Sequence, residues 1–343
     1  MNSTFRRSAF PTLLVAIAIS IHAPAFASKE RVVRDWQACP AIVELDTDAP
    51  IIAIGDVHGD YDRLCKLLHV AGVVREESEH PQNLQWAAGK TILVCTGDLI
   101  DKGKRSLDVI EAFRVLQPQA LAAGGRVIVT MGNHEAEFLA DPENDEKAEE
   151  FLAELGAAGV DPVRLAHGND DHGVGNFLRG LPFAVRINDW FFAHACSTQG
   201  RSLQTLRTEI SDAVDSEGYG ADILLSKHGL LEARLKPLPW WQRQGDTPKQ
   251  SEDRLRGYSV ALGVHHLVMG HQPGKAEFSD GTKRKAGELT QKFGGLIFFI
   301  DVGMSSAINK STGAALRIEK DGNRQTATAV SAENARTLLW HTE

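Results

Sequence analysis

Three short polar loops in the first half of the chain combine glycine with aspartate, histidine or asparagine. They read GDVHG at 55–59, GDLIDKG at 97–103 and GNHE at 132–135. Carboxylate, imidazole and amide groups together suit divalent ions of the hard to borderline class, such as manganese, iron or zinc. One aspartate can bridge two ions, and two ions about 3.5–4 Å apart can hold both the attacking and the leaving oxygen of a phosphoryl displacement. The loops therefore predict a two-metal hydrolase.

Each loop follows an apolar run that is typical of a buried strand. The runs occupy residues 51–54, 91–96 and 126–131, and the first two loops lead into helix-periodic stretches, the second of which we expect to end at Pro118. Buried strands that alternate with helices indicate a parallel sheet covered on both faces. Ligands of such sheets collect at the carboxyl ends of the strands. We therefore expect the loops to converge on one edge and to bring together Asp56, His58, Asp98, Asn133 and His134.

The three loops resemble the signature loops of the calcineurin-like metallophosphoesterases. They are most similar to the phosphoprotein phosphatase branch, including its bacterial, Shewanella-like members, and the resemblance covers roughly residues 50–303. Three such loops in the right order, each after a strand, make a specific signal. The resemblance implies an α/β fold of four layers, in which two central mixed β-sheets are flanked by helices and carry an inserted helical cap.

The resemblance also implies a full set of metal ligands. Asp56, His58 and Asp98 would hold one ion, and Asp98 would bridge to a second ion. Two later apolar runs lead to His194 and His271. Together with Asn133, these two histidines would complete the ligands of the second ion.

Two of the later loops depart from the common patterns of the superfamily. After His194, Ala195 and Cys196 stand where the family has two glycines. After His271, many members of the superfamily have one further residue and then a second histidine ligand, but this chain has Gln272 and Pro273. The phosphoprotein phosphatase branch likewise keeps only one histidine here. The first departure predicts a loop of somewhat different shape, and the second favours the phosphatase branch.

The remaining functional assignments also follow from the resemblance. His134 would be the general acid, since histidine can hold a proton near neutral pH for an alkoxide leaving group. Asp101 would orient His134, although an aspartate here could instead cap the following helix. Asn133 and Lys102 would contact the substrate phosphate, and Lys102 replaces the arginine that is usual in the family.

A second phosphate contact is predicted in a tryptophan-rich stretch. Arg243, in the run Pro239–Arg243, resembles a W-x-R stretch that Shewanella-like phosphatases have between their last two histidine ligands. Arg256 is the competing candidate, and either arginine could simply face solvent.

These assignments imply a metal-dependent phosphomonoester hydrolase, in which a hydroxide that bridges two ions attacks phosphorus without a covalent intermediate. Manganese, iron and zinc are all compatible with the ligands. A serine/threonine- or tyrosine-type protein phosphatase is the favoured reading, with a phosphorylated protein or a small phosphomonoester as substrate. The alternatives are an exported hydrolase of small phosphoesters or dinucleoside polyphosphates, and a metal-binding protein without catalysis.

The first 27 residues read as a signal peptide. Arg6 and Arg7 precede an apolar run at 13–19 and an A-x-A cleavage site at 25–27. The run is too short to span a bilayer, so we expect a periplasmic or secreted protein without stable membrane insertion, exported by either the general or the twin-arginine route. Residues 28–343 would form the metallophosphoesterase domain, with cap insertions at about 141–180 and 201–257.

Charge and cysteine content set further limits. Of 37 basic residues, the signal peptide takes two, which leaves 35 against 45 acidic residues and a net charge of −10. Non-specific nucleic-acid binding rests on basic surfaces, so we expect no nucleic-acid partner. Four cysteines would permit up to two disulfides after export. The acidic run at 141–150 is interpreted as a solvated face.

Overall fold

The strands that precede the first two loops are buried on both faces. In the computed structural model, which describes residues 34–342, every residue of Ile51–Ile54 and Ile92–Cys95 is buried. A strand that is covered on both faces needs no alternation of apolar and polar residues, because neither face meets water. This explains the continuous apolar runs. The predicted signal peptide lies outside the described residues.

The strands and helices follow in chain order. The strands are β1 Ile42–Leu45, β2 Ile51–Ile54, β3 Ile92–Cys95, β4 Arg126–Val129, β5 Ala184–Ile187, β6 Trp190–Ala193, β7 His266–Met269, β8 Ala276–Glu277, β9 Lys283–Arg284, β10 Thr290–Lys292, β11 Ile297–Phe299, β12 Ala314–Asp321, β13 Arg324–Ser331 and β14 Arg336–His341. The helices are α1 Tyr61–Val70, α2 Ser106–Ala122, α3 Asn133–Ala140, α4 Asp145–Ala158, α5 Pro162–Ala166, α6 Val174–Gly180, α7 Leu203–Glu217, α8 Asp222–Leu225 and α9 Pro248–Leu262.

Two mixed sheets form the centre of the described chain. One has the strand order β14-β13-β12-β2-β3-β4 and the other β1-β5-β6-β7-β11-β10. Buried residues of both sheets belong to one hydrophobic core, in which Trp190 of β6 meets Trp340 of β14 with ring centroids 5.9 Å apart. The predicted α/β fold, with two mixed sheets flanked by helices, is confirmed.

Strand register brings the loops to a common level. In the first sheet Ile54 pairs with Cys95, which in turn pairs with Val129, so the three parallel strands β2, β3 and β4 end side by side. In the second sheet Ala193 pairs with Met269, and β6 and β7 also run parallel. Loops that follow parallel strands in register begin at the same edge of the sheet.

Helix α2 continues past the residue at which we expected it to end. It runs to Ala122 and includes Pro118. The apolar face continues beyond the proline, because Leu116 and Ala120 are both fully buried. Burial of this face outweighs the one hydrogen bond that the proline cannot donate, and the prediction of a helix end at Pro118 is wrong.

The two predicted insertions contain most of the remaining helices. The range 141–180 holds α4, α5 and α6, and the range 201–257 holds α7, α8 and the start of α9. The prolines and tryptophans at 236–257 predict a loop, but helix α9 begins within this range, at Pro248. Thr247 and Gln250 form a capping box at its start, with a proline at the first helical position. That these insertions form a cap over the site stays a prediction.

Two further features concern export and the chain end. All four cysteines are free in the structure. Among the described residues, no helix has the length and apolar character that crossing a membrane requires. Near the chain end, the sequence pattern predicts strands at 314–318 and 326–330, and the structure has β12 and β13 there. It adds a third strand, β14, that the pattern does not indicate.

Candidate metal centre

The polar loops interlock through their backbones. Both Val57 and His58 donate their N–H to the carbonyl of Asp98, at 3.0 and 2.8 Å. Glycine is required where side chains approach the loops closely: a Cβ on Gly132 would overlap the Asp98 carboxylate, and a Cβ on Gly270 would lie 2.5 Å from the carboxylate of Asp56. The glycines of the motifs therefore make room for the acidic side chains.

Several residues of these loops have backbone angles that favour glycine. His58, Asp98, Asp101, Lys102 and His271 have φ values of 47°, 51°, 67°, 66° and 62°. Each non-glycine residue in this region costs about 1–3 kcal/mol unless its surroundings hold it there. Such residues concentrate at functional sites, and here they coincide with the positions that we selected from the sequence.

Six predicted ligands lie together at the edge shared by the two sheets. We call this group the ligand cluster; its members are Asp56, His58, Asp98, Asn133, His194 and His271. All six residues are buried. The structure thus brings together every residue for which the sequence predicted metal binding, and their division between two ions stays a prediction.

Asp98 lies at the centre of the cluster. One of its oxygens, Oδ2, is 3.5 Å from Nε2 of His58 and 3.3 Å from Nε2 of His194. Nε2 of His194 is also 2.9 Å from Oδ1 of Asn133 and 3.0 Å from Nδ1 of His271. A carboxylate between two groups of nitrogen and oxygen donors is the arrangement that a bridging ligand requires.

Two cluster histidines have a backbone acceptor for their second ring nitrogen. Nδ1 of His194 lies 2.8 Å from the carbonyl oxygen of Thr96, and Nδ1 of His58 lies 3.3 Å from that of Ile100. A proton on each Nδ1 would leave Nε2 facing the cluster. Metal-binding histidines in proteins are commonly fixed in this way.

Asp56 connects the first loop to the last. Both of its oxygens accept the backbone N–H of His271, at 3.1 and 3.0 Å. Burial raises the pKa of Asp56 well above its ordinary value, and the nearby carboxylate of Asp301 raises it further. The Asp56 carboxylate is therefore poorly compensated by the protein alone.

The charges of the cluster fit a pair of divalent ions. Burial raises the pKa of Asp98, but the imidazoles of His194 and His134 outweigh this effect and hold it well below its ordinary value. Burial and His194 together lower the pKa of His271 well below its ordinary value, so that its ring is neutral. Ligand atoms of Asp98, His194 and His271 lie within 4.8 Å of one another. Burial lowers the pKa of His194, but the carboxylates of Asp98 and Asp56 outweigh burial and raise it to about 10. Bound ions would take the place of that proton, because carboxylate and imidazole groups at this spacing are donors that suit zinc, iron and manganese.

His134 and Asp101 form a pair beside the cluster. Nδ1 of His134 lies 3.2 Å from Oδ2 of Asp101, and the His134 ring meets the His58 ring edge to face at 4.9 Å. Burial lowers the pKa of His134, but the carboxylates of Asp98 and Asp101 outweigh burial and raise it. His134 can therefore hold a proton next to the metal ligands.

Asp101 does not cap the helix that follows it. The first N–H groups of α2, those of Ser106 and Leu107, donate to Glu154 of α4 at 2.7 and 2.9 Å. Asp101 instead accepts the N–H of Glu150 through Oδ1, at 3.1 Å. Of the two roles considered for Asp101, the geometry supports the orientation of His134.

The predicted phosphate contacts have different surroundings. Nζ of Lys102 lies 3.0 Å from Oδ2 of Asp101, so this lysine is at the edge of the site. Arg243 is exposed, and its backbone N–H donates to Asp246. Arg256 pairs with Glu252 on α9. Among the described contacts, none joins either arginine to the ligand cluster.

Sequence reasoning missed a third arginine that is closer to the cluster. Arg234 donates to Oε1 of Glu232, while Oε2 of Glu232 lies 3.7 Å from Nε2 of His271. The positive charge of Arg234 also contributes to the lowered pKa of His271. Arg234 lies in an insertion, within a run that has no glycine motif, so the sequence offers little signal for it.

Two buried acids support the loops and were also missed. Glu135, in the GNHE motif, accepts N–H groups of Gly132, Asp98 and Leu99 at 2.8, 2.9 and 2.7 Å, which joins the second loop to the third. Asp301 follows β11 and accepts the N–H of Gly303 at 2.8 Å. The signal for Asp301 was its position directly after a buried apolar run.

Comparison with known proteins gives consistent relationships. The family model of calcineurin-like phosphoesterases matches residues 49–275. Shewanella-like protein phosphatase 1 of Plasmodium berghei is 36% identical over 280 residues, which cover 76% of this chain and 68% of that protein. An uncharacterized protein of Schizosaccharomyces pombe is 41% identical over 85 residues, which cover 25% of this chain and only 24% of that protein.

A solved structure shows the same fold. The cold-active protein-tyrosine phosphatase of a psychrophilic Shewanella species superposes with a TM-score of 0.65 at 21% identity, over 86% of this chain and 82% of that chain. The range of this chain that the family model matches includes the three glycine loops, His194 and His271. Calcineurin-like phosphoesterases use a dinuclear metal site, and the ligand cluster provides the donors for one. The chain therefore belongs to the calcineurin-like phosphoesterase family.

Proposed function

We propose that the protein is a phosphomonoester hydrolase with two divalent ions, and that phosphorylated protein side chains are its favoured substrates. The observation that carries this proposal is the pairing of His134 with Asp101 directly beside the ligand cluster. A cluster that only stabilised the fold would need no protonated histidine next to it. The rival reading, a metal-binding protein without catalysis, leaves this pair without a role.

The ligand cluster would hold the ions, with Asp56, His58 and Asp98 on one side and Asn133, His194 and His271 on the other. Manganese, iron and zinc all suit this donor set. When bound, such ions activate water as a nucleophile and neutralise charge on the phosphoryl oxygens. The remaining chemistry belongs to residues around the cluster.

His134 would supply the proton for the leaving oxygen. Its Nδ1 faces Asp101, so Nε2 is the nitrogen that can donate. Asp101 holds the ring in place and stabilises its charged form, and α4 in turn holds Asp101 through the N–H of Glu150. A positioned acid of this kind contributes about 10²–10⁴-fold to the rate.

Lys102, Asn133 and an arginine would bind the phosphate group. The ammonium group of Lys102 pairs with the carboxylate of Asp101, which leaves the lysine less free to bind a phosphate by itself. Arg234 is the better placed arginine, because its ion pair with Glu232 lies next to His271. Arginine can bind two phosphate oxygens at once. We therefore prefer Arg234 to Arg243 for this role.

The names of the relatives support a protein substrate. Both the Plasmodium relative and the Shewanella structure are named protein phosphatases, and the latter a tyrosine phosphatase. Small phosphomonoesters and dinucleoside polyphosphates remain the alternative substrates. We also propose export to the periplasm or the exterior, because of the signal peptide predicted at 1–27; the N-terminal sequence of the mature protein would test it.

The test of the proposed function is a metal-restoration assay. Protein stripped of metal would receive manganese, iron or zinc singly and would be given p-nitrophenyl phosphate, bis-p-nitrophenyl phosphate, and phosphoserine and phosphotyrosine peptides. We expect monoester and phosphopeptide turnover that returns with metal. Preference for the diester would place the activity elsewhere in the family. Two bound ions without turnover on any substrate would favour the binding protein.

A further inference from the structure

Two buried polar atoms near the ligand cluster face each other without a hydrogen-bond partner. They are Nε2 of His271 and Oε2 of Glu232, and among the described residues neither atom makes a hydrogen bond. They lie 3.7 Å apart. A buried polar group without a partner costs about 1–3 kcal/mol. An approach of roughly 0.8 Å would give an ordinary N–H···O hydrogen bond.

The other nitrogen of His271 is directed into the cluster. Nδ1 lies 3.0 Å from Nε2 of His194, on the side of the cluster occupied by Asn133. A histidine that binds a metal through one nitrogen carries its proton on the other, and that proton needs an acceptor. For His271 the nitrogen that must carry the proton is Nε2.

His271 differs from the other two histidines of the cluster in the acceptor that lies next to its outward-facing ring nitrogen. His58 and His194 each have a backbone carbonyl oxygen next to the ring nitrogen that faces away from the cluster, at 3.3 and 2.8 Å. For His271 the corresponding position is occupied by the carboxylate of Glu232. A carboxylate acceptor also raises the basicity of the ring, which a neutral carbonyl does less strongly.

The backbone around Glu232 is attached to both histidine loops of the second sheet. Ala195 donates its N–H to the carbonyl of Leu230 at 3.1 Å, and Leu235 donates its N–H to the side chain of Gln272 at 3.3 Å. Ala195 and Gln272 each directly follow a histidine of the cluster. The residues on either side of Glu232 are fully buried. The position of Glu232 is thus fixed relative to the two histidines.

Arg234 occupies the other oxygen of the carboxylate. Oε1 of Glu232 accepts from Nη2 and Nε of Arg234 at 2.6 and 3.1 Å. With Oε1 held by Arg234, Oε2 is the oxygen that faces Nε2 of His271. The arginine therefore orients the acceptor as well as balancing its charge.

We propose that Glu232 is a positioning residue: it accepts the Nε2–H of His271 and so fixes Nδ1 as the atom that binds the second ion. The inference rests on the dinuclear site of the proposed function and adds a residue that the family motifs do not include. It also gives the 201–257 insertion a role in metal affinity.

The test measures metal affinity in Glu232→Ala and Glu232→Gln. The dissociation constants of both bound Mn²⁺ or Zn²⁺ ions would be obtained by competition with a chromogenic chelator. We expect Glu232→Ala to weaken one ion by about 10–100-fold and to leave the other unchanged. Glu232→Gln keeps an acceptor without the charge and should give a smaller loss. Glu252→Gln removes a similar arginine-paired carboxylate on α9 and serves as the unchanged control.

A second readout reports the ring itself. In zinc-loaded protein labelled with ¹⁵N-histidine, we expect His271 to carry its proton on Nε2 in the wild type, and Glu232→Gln to shift that resonance. Wild-type affinity for both ions in folded Glu232→Ala would overturn the proposal, as would zinc bound through Nε2. If Glu232→Ala fails to fold, the isosteric Glu232→Gln decides by the same two readouts.

Neither readout requires turnover, so this proposal and the proposed function fail separately. Loss of one ion in Glu232→Ala without phosphoester hydrolysis in the wild type would exclude the enzyme and retain the positioning role. Hydrolysis by the wild type, with unchanged metal affinities in Glu232→Ala, would support the proposed function and exclude the positioning role of Glu232.

Discussion

At the scale of single residues, the two nitrogens of His134 have different surroundings. Nδ1 faces the carboxylate of Asp101 at 3.2 Å, and the ring is directed toward His58 in the cluster. Asp98 and Asp101 outweigh burial and raise the pKa of His134, which favours the protonated ring. We propose that His134 acts on the leaving group and is not a ligand of either ion, although its ligand atoms lie within 4.8 Å of those of His58 and Asp98.

Substitution His134→Asn should lower kcat by about 10²–10⁴-fold, because the leaving oxygen loses its proton donor. Metal content should stay at the wild-type value. The loss should be larger for phenyl phosphate than for p-nitrophenyl phosphate, since nitrophenolate leaves without much help from a proton. The assay compares kcat for the two esters.

The matched control for this variant is His265→Asn, which changes an exposed histidine before β7. It should keep wild-type kcat for both esters. Equal kcat in His134→Asn and wild type would remove His134 from the mechanism, and loss of bound metal would instead make it a ligand.

Arg234 and Arg243 lead to opposite expectations for phosphate binding. A hydrogen bond to a charged group contributes about 1.5–3 kcal/mol, so Arg234→Ala should lower kcat/KM by roughly 10–150-fold. Arg243→Ala should have little effect, because none of the described contacts joins Arg243 to the ligand cluster, whereas Arg234, which is also exposed, pairs with Glu232 beside His271. Steady-state kinetics on one phosphopeptide would measure both, with Arg234→Lys to separate charge from the two-pronged geometry. The reverse ranking would restore Arg243 as the phosphate contact.

The residues that could be predicted were those with a local signal. Asp56, His58 and Asp98 stand after apolar runs and beside glycines, where backbone shape and ligand chemistry coincide. Glu232 and Arg234 have no such pattern, because their role depends on where an insertion folds back on His271. A long-range contact of this kind leaves no periodic trace in the sequence.

At the scale of elements, α4 supports His134 and Asp101, the pair for which we propose proton donation. Its backbone departs from helical geometry at Ala148, with φ −146°, and the N–H of Glu150 donates to Asp101. Glu154, one turn further, accepts the first N–H groups of α2. The acidic run at 141–150 does include exposed residues such as Glu149. The interpretation of this run as a solvated face did not include the hydrogen bond from Glu150 to Asp101.

Substitution Glu154→Ala should lower the free energy of unfolding by about 0.5–2 kcal/mol, because the N–H groups of Ser106 and Leu107 lose their acceptor. Urea denaturation of the metal-loaded protein would measure it. Glu149→Ala, on an exposed face of the same helix, should stay within about 0.5 kcal/mol of wild type. Equal stability of the two variants would show that water replaces the Glu154 carboxylate without loss.

Prediction of elements succeeded where one principle dominated and failed where two competed. The buried strands were predicted because burial on both faces leaves only apolar residues. Pro118 suggested a helix end, yet burial of Ala120 continues α2 beyond it. The start of α9 did carry a signal, the pair Thr247 and Gln250 with a proline between them, but the neighbouring tryptophans and prolines suggested a loop.

At the scale of the whole molecule, the site exists only where the two sheets meet. Asp98 follows a strand of the first sheet, whereas His194 and His271 follow strands of the second. The link between the sheets is direct, since Nδ1 of His194 lies 2.8 Å from the carbonyl oxygen of Thr96. Strand and helix patterns could place the ligands that follow strands of the first sheet, but His194 and His271 were predicted as ligands only from the family resemblance. Periodicity does not reveal which sheet faces which.

We expect this arrangement to make the stability of the fold depend on bound metal. Asp56 is buried, and the carboxylates of Asp301 and Asp98 make its ionised form less favourable still. Removing a partner from a buried charge destabilises a protein strongly. An ion that binds only the folded chain adds about 2.7 kcal/mol of stability at one hundred times its dissociation constant.

Chelation should therefore lower the Tm of the protein by several degrees, and restored manganese or zinc should return it, which differential scanning calorimetry would measure. Asp98→Asn, which loses the central carboxylate, should bind metal weakly, so its Tm should respond little to the chelator. If wild type and Asp98→Asn responded alike, the effect of chelation would come from outside the ligand cluster. If neither Tm changed, the buried carboxylates would be compensated by the protein alone, through the proton that the raised pKa of Asp56 allows it to keep. A Tm that falls on chelation in the wild type alone would show that metal bound at the ligand cluster stabilises the fold. An unchanged Tm would show that the fold is stable without the metal.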